Sequence, residues 1–192
     1  MPKRAMKPED LLRIVLVGDP QISPDGTRVL FSHKTINDKN KYISNLWMVD
    51  RGGNLTQWTQ GKEGAGHGRW SPDGSQIAFV SGREEKVSQI FLIPVTGGEA
   101  RKVTSLPEGS IGGFKWSPNG KMIAFTFRET AEDRTKKAAK AREESGGSEP
   151  PFVLDDIWYR LDGDGGGVGS GSGPPEVGFR LKTLNRVGAR GS

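Results

Sequence analysis

The sequence predicts an all-β fold: a partial β-propeller of about three four-stranded blades and a broken fourth, with one charged helical insertion and a disordered tail. Three observations predict it. One turn is spelled three times, as Ser23-Pro24-Asp25-Gly26, Trp70-Ser71-Pro72-Asp73-Gly74 and Trp116-Ser117-Pro118-Asn119-Gly120. Its serines stand 48 and then 46 residues apart, a period that marks repeat architectures. Each period also holds short β-branched and aromatic runs, enough for the four antiparallel strands of one propeller blade.

The turn has a direct physical reading. Proline at its second position fixes φ near −65°, Asp or Asn suits the third, and Gly takes the fourth without Cβ strain. A strand follows each copy: Arg28-Val29-Leu30-Phe31, Gln76-Ile77-Ala78-Phe79-Val80 and Met122-Ile123-Ala124-Phe125-Thr126-Phe127. These runs are too short for helices of ordinary length. A further strand is predicted at Asn45–Asp50 and at Gln89–Pro94. The Gly52-Gly53 and Gly97-Gly98 turns then lead to more polar strands that end at Leu55–Thr59 and Arg101–Thr104. The segment entering each Ser-Pro turn completes the four. Trp70 and Trp116 hold the same offset from their turns and are expected to pack between neighbouring blades, whereas Ile22 takes that place in the first unit, as an atypical terminal repeat would.

These residues carry a resemblance. Trp-Ser-Pro-Asp-Gly, Ile-Ala-Phe and Gly-Gly-Glu-Ala-Arg-Lys-Val-Thr resemble the TolB-like propeller repeat. The run Glu9-Asp10-Leu11-Leu12 into Asp19–Gly26, the strand Asn45–Asp50, the charged insertion and Asp155–Gly163 are similar to the N-terminal propeller of prolyl oligopeptidase family serine peptidases of the acylaminoacyl-peptidase and dipeptidyl-peptidase-like branch. The likeness spans about residues 9 to 165. It implies a propeller that restricts access of short peptides to a separate hydrolase domain, with peptides as partners of the intact enzyme. The alternative is a TolB-like protein-interaction scaffold without peptidase activity, because the repeat is specific for architecture and only weakly for function.

The expected organisation is a lead-in over 1–18, the partial propeller over 19–164, and a Gly-rich disordered tail over 165–192. The helical insertion falls at about 129–145, where Ala131, Ala138, Ala139 and Ala141 mix with basic residues and Glu132 precedes Lys136 at helical i,i+4 spacing. It lacks a broad apolar stripe and reads as an excursion from the third blade, with reach over a binding surface as its functional alternative. From Gly165 to Pro175 the text turns low-complexity and cannot build a core. That change has the character of a frame-shifted or otherwise aberrant end, and the nucleotides past the Asp164 codon, read in three frames, test it. With about three blades, two sheet faces stay open, so self-association through them is expected.

Composition narrows the chemistry. There are 28 Gly and 12 Pro, which suits a turn-rich β protein. Without cysteine, disulfides and thiolate chemistry are excluded, and a reducing cytoplasm is the expected location. The early apolar stretch Ile14–Val17 is far short of a membrane span, so no membrane partner is expected. Net charge is +5, yet the aromatics follow strand periodicity rather than a base-stacking pattern, so no nucleic-acid partner is expected.

No catalytic, cofactor or metal residues are assigned. A hydrolase elbow needs Gly-x-Ser-x-Gly followed by Asp and His. Ser110 fails because Glu108 stands in the first glycine's place, and Ser170 because Val168 does. His33 and His67 precede both serines and are expected in loops or on the surface. Two separated histidines do not suggest zinc. Asp162-Gly163-Asp164 lacks a third ligand at Gly166, and Asp155 and Asp156, adjacent in a strand, point to opposite faces. The chain alone is therefore expected to be inactive.

Overall fold

The computed structural model describes residues 5, 7–37, 39–149 and 178–183. After a 3₁₀ turn at Pro8–Arg13 the strands run β1 (Leu16–Ile22), β2 (Arg28–Ile36), β3 (Tyr42–Asp50), β4 (Leu55–Gln57), β5 (Gly66–Trp70), β6 (Gln76–Ser81), β7 (Gln89–Pro94), β8 (Arg101–Lys102), β9 (Gly109–Trp116), β10 (Met122–Glu129) and β11 (Gly178–Thr183), with one helix, α1 (Lys136–Ser145), between the last two. They form three antiparallel sheets in the orders β1-β2-β3-β4, β5-β6-β7-β8 and β9-β10-β11. The first two are the predicted four-stranded blades in meander order, and the third has three strands among the described residues. Strand β1 begins at Leu16, inside the segment expected to be lead-in.

The repeated turn builds itself from its own side chains. The amides of Gly26, Gly74 and Gly120 donate to the carbonyls of Ser23, Ser71 and Ser117 at 2.8, 2.9 and 2.9 Å. The glycines sit at φ 68°, 69° and 66°, a left-handed conformation that disfavours a side chain. Each serine hydroxyl accepts the amide of the next strand's first residue (Arg28, Gln76 or Met122) at 2.9 Å. It also donates to Asp25, Asp73 or Asn119 at 2.5, 2.6 and 2.7 Å. The serine thus closes the hairpin through its side chain, which explains its place in all three copies.

That geometry predicts an acid response. The Ser23 hydroxyl, then the Thr27 amide and hydroxyl, lower the Asp25 carboxyl from 3.8 to about 2. The Ser71 hydroxyl, then the Ser75 amide and hydroxyl, lower Asp73 in the same direction. A carboxyl depressed in the folded state adds stability above its unfolded pKa, and that stability is lost as pH falls through the folded value. Asn119 accepts the corresponding serine hydroxyl and the Lys121 amide without titrating. The combined Asp25→Asn and Asp73→Asn variant should therefore lose less of its urea midpoint between about pH 4 and pH 2 than the parent chain does.

Period-two alternation divides the core into two layers. Ile77, Phe79, Phe91 and Ile93 of the second blade face Leu30, Leu46 and Met48 of the first. Ala78, Ile90 and Leu92 face Ile111, Phe114, Ile123, Phe125 and Phe127 of the third. The second blade is thus buried on both faces.

Several expectations are corrected. The outer strands stop at Gln57 and Lys102 rather than at Thr59 and Thr104, because the threonine hydroxyls take over: Thr59 accepts the Leu46 amide and Thr104 the Ile90 amide, both at 2.9 Å. The expected disordered tail contributes β11, paired over its whole length with β10, from Met122 opposite Thr183 to Phe127 opposite Gly178. Its sequence alternates Phe179, Leu181 and Thr183 with Arg180 and Lys182, a strand signal that the neighbouring glycines obscure. The rest of the tail, and Asp155–Gly163, lie outside the described residues.

The insertion is a 3₁₀ turn at Glu132–Arg134 followed by α1. Glu132 and Lys136 do not share a helix. Instead the Lys136 amide donates to Glu108 Oε2 at 2.9 Å, and its ammonium donates to the Lys86 carbonyl at 2.6 Å. Thr135 caps the helix by accepting the Ala138 amide, and left-handed Gly146 ends it. Among the described residues no helix is long and apolar enough to cross a membrane.

Candidate functional site

The first strand of each blade touches the first strand of the next, β1 against β5 and β5 against β9. These strands therefore lie closest to the common axis, and side chains at the blade junctions form an axial rim. Each carries a β-bulge, after Gly18 in β1, after Gly66 in β5, and at Gly112 opposite the Thr126–Phe127 step. Asp19 and His67, four residues before their serines, are left-handed at φ 51° and 54°. Non-glycine residues adopt this conformation at a cost of order 1 kcal/mol or more, and bulges serve to re-aim a side chain.

At the first junction the re-aimed group is used. Arg69 Nη1 donates to Asp19 Oδ2 at 2.7 Å and to the Gly68 carbonyl at 2.7 Å. Gln21 Nε2 donates to the other Asp19 oxygen at 3.1 Å. Both partners stay about a third exposed, so the pair sets geometry more than stability. Just below the rim the tryptophans fulfil their expected role: Trp70 Nε1 donates to the Gln21 carbonyl at 3.0 Å and Trp116 Nε1 to the Arg69 carbonyl at 3.2 Å.

The histidines separate. His33 is corrected from loop or surface to a half-buried place on β2, stacked on Trp47 with ring centroids 4.8 Å apart. Alternation puts it on the face of Phe31 and Trp47 rather than in a turn. His67 is exposed at the axial bulge. Ser110 lies on β9, and among the described residues no serine hydroxyl is bonded to a histidine. Ser170, Asp155, Asp156 and Asp162–Asp164 lie outside the described residues, and among those described no three His, Cys, Asp or Glu side chains could hold a metal ion. Sequence reading missed the Asp19–Arg69 pair, although its members hold fixed offsets from the repeated serines.

A cleft of about 290 Å³ opens between the outer strands of the first two blades, lined by Trp58, Ile93, Ala100 and Arg83. The Arg83 guanidinium lies 4.9 and 5.1 Å from the ring centres of Phe79 and Phe91. It is spent on covering the core, and burial lowers its pKa.

Residues 14–148 match the family described as the TolB beta propeller domain. The chain belongs to that family. It is 36% identical over 169 residues to the uncharacterized peptidase YuxL of Bacillus subtilis, a match over 85% of this chain and 24% of that protein. It is 30% identical over 158 residues to dipeptidyl-peptidase 5 of Porphyromonas endodontalis, over 81% of this chain and 22% of that protein. The chain thus spans about a quarter of the length of these curated relatives. The acylaminoacyl peptidase of Pyrococcus horikoshii shares the fold, with a TM-score of 0.50 and 22% identity over 64% of this chain and 19% of that one. This TolB-type propeller therefore resembles the propeller portion of peptidases.

Proposed function

We propose that this propeller gates the access of short peptides to a serine hydrolase domain outside the 192 residues, in the manner of prolyl oligopeptidase-like peptidases. The observation that carries the reading is the run of likeness to two peptidases over more than four fifths of the chain. The absence of a Gly-x-Ser-x-Gly elbow from the sequence fits a supporting role, since the nucleophile must then come from elsewhere.

A chimera tests it. Residues 14–148 replace the matching segment of the Porphyromonas endodontalis dipeptidyl-peptidase. The chimera is expected to cleave dipeptidyl p-nitroanilides and to spare casein, while the 192-residue chain alone cleaves neither. A folded chimera that degrades casein as readily as the p-nitroanilide would overturn the gating role.

A further inference from the structure

The junction between the second and third blades repeats the tryptophan and turn contacts of the first junction. Trp70 reaches Gln21 as Trp116 reaches Arg69. A Cβ placed on Gly74 would stand 3.6 Å from Pro24 Cδ, and one on Gly120 would stand 3.7 Å from Pro72 Cδ. These independent contacts define one operation that carries Gln21 to Arg69, Pro24 to Pro72, Trp70 to Trp116 and Gly74 to Gly120. The same operation carries Asp19 to His67 and Arg69 to Lys115.

The chemistry does not repeat with the geometry. Where Asp19 meets Arg69 in an ion pair of 2.7 Å, the second junction has a histidine in the acid's place and a lysine in the arginine's. Both His67 and Lys115 are exposed, and neither side chain has a hydrogen-bond or ion-pair partner among the described residues. His67 keeps the left-handed backbone of Asp19, at φ 54° against 51°, so its side chain leaves the chain from an equivalent bulge. An imidazole N–H and an ammonium both donate. The part missing relative to the first junction is one carboxylate.

We propose that His67 and Lys115 form a carboxylate-binding site at the axial end of the junction between blades two and three, which takes the acidic terminus of a peptide. The carboxylate chemistry follows from the repeat; the peptide as its bearer rests on the proposed gating function. A monoanion suits it better than a phosphate, because the sister junction balances its own cation with a single carboxylate.

The chain has two histidines, and His33, stacked beneath Trp47, is an internal control. N-acetyl-alanyl-alanine, titrated into the 192-residue chain, is expected to shift the His67 ring signal saturably in the NMR spectrum and to leave His33 in place. Its C-terminal amide should move neither, and acetate should bind at least tenfold more weakly than the peptide. Lys115→Glu supplies the missing acid within the chain and should abolish the response. Lys115→Ala should weaken it about tenfold, the loss expected for one charge-assisted bond. His67→Gly accepts the left-handed backbone and should remove the site without harming the fold, which the Trp116 indole signal reports. Equilibrium dialysis of the same peptide reads the acid-against-amide contrast in any oligomeric state. An amide that binds as the acid does, an unaffected Lys115→Glu variant, or acetate as tight as the peptide would each overturn the site. A working chimera with a silent His67 would reject this site and leave the gating reading standing.

Discussion

Replacing Trp70 by alanine is expected to destabilise the fold by about 3–5 kcal/mol, the range for deleting a large core aromatic. Trp70 is only 9% exposed and packs with Leu30, Leu46, Ile77 and Phe79. Its loss opens the first interblade layer from the axial side. Against a total stability of about 5–15 kcal/mol for an ordinary domain, this is enough to leave much of the chain unfolded at room temperature. Trp70→Phe separates packing from hydrogen bonding. It keeps most of the apolar volume but strands the Gln21 carbonyl, so its cost should be about 1–3 kcal/mol. Urea midpoints of the two variants check both values, and equal midpoints for Trp70→Phe and Trp70→Ala would show that packing volume is not what the residue supplies.

The second large effect concerns the open face of the first blade. Ile22, Val29, Val49 and Leu55 are paired in one row across all four strands. The equivalent row of the second blade, Trp70, Ile77 and Ile93, is buried against the blade before it. In the first blade Ile22 and Leu55 are 70% and 61% exposed, and Val17 on the same face is 65% exposed. Repeat units bury their apolar faces only against neighbours, and a patch of this kind drives association. The 192-residue chain is therefore expected to sediment as species heavier than its 20.8 kDa monomer. Combining Val17→Lys, Ile22→Lys and Leu55→Lys should shift the distribution toward monomer with little loss of stability, because exposed positions tolerate change. A monodisperse monomer of the unaltered chain with a sharp cooperative melt would contradict the prediction.

Most of the fold was legible because it is written in local chemistry. Proline, an Asp or Asn and a glycine specify each turn over four residues, and two-residue alternation specifies which side chains enter the core. The interblade role of Trp70 and Trp116 followed from their fixed offset. What escaped depended on partners distant in sequence. His33 could not be placed, because Trp47 and the pairing of β2 with β3 decide its surroundings. Strand β11 was hidden by the glycine-rich text before it and is defined by its pairing with β10. Glu132 and Lys136 have the right spacing for a helical pair, but the Glu108 carboxylate and the Lys86 carbonyl compete for Lys136 and set where α1 begins.

The sequence by itself determined the blades, their order and their turns, since each rests on steric and hydrogen-bonding preferences of a few adjacent residues. Only the tertiary structure decided the axial rim. Asp19 and Arg69 stand 50 residues apart, and nothing local links them. Stacking one bulged strand beside the next brings them together, and the same stacking sets His67 and Lys115 at the following junction without an acid between them.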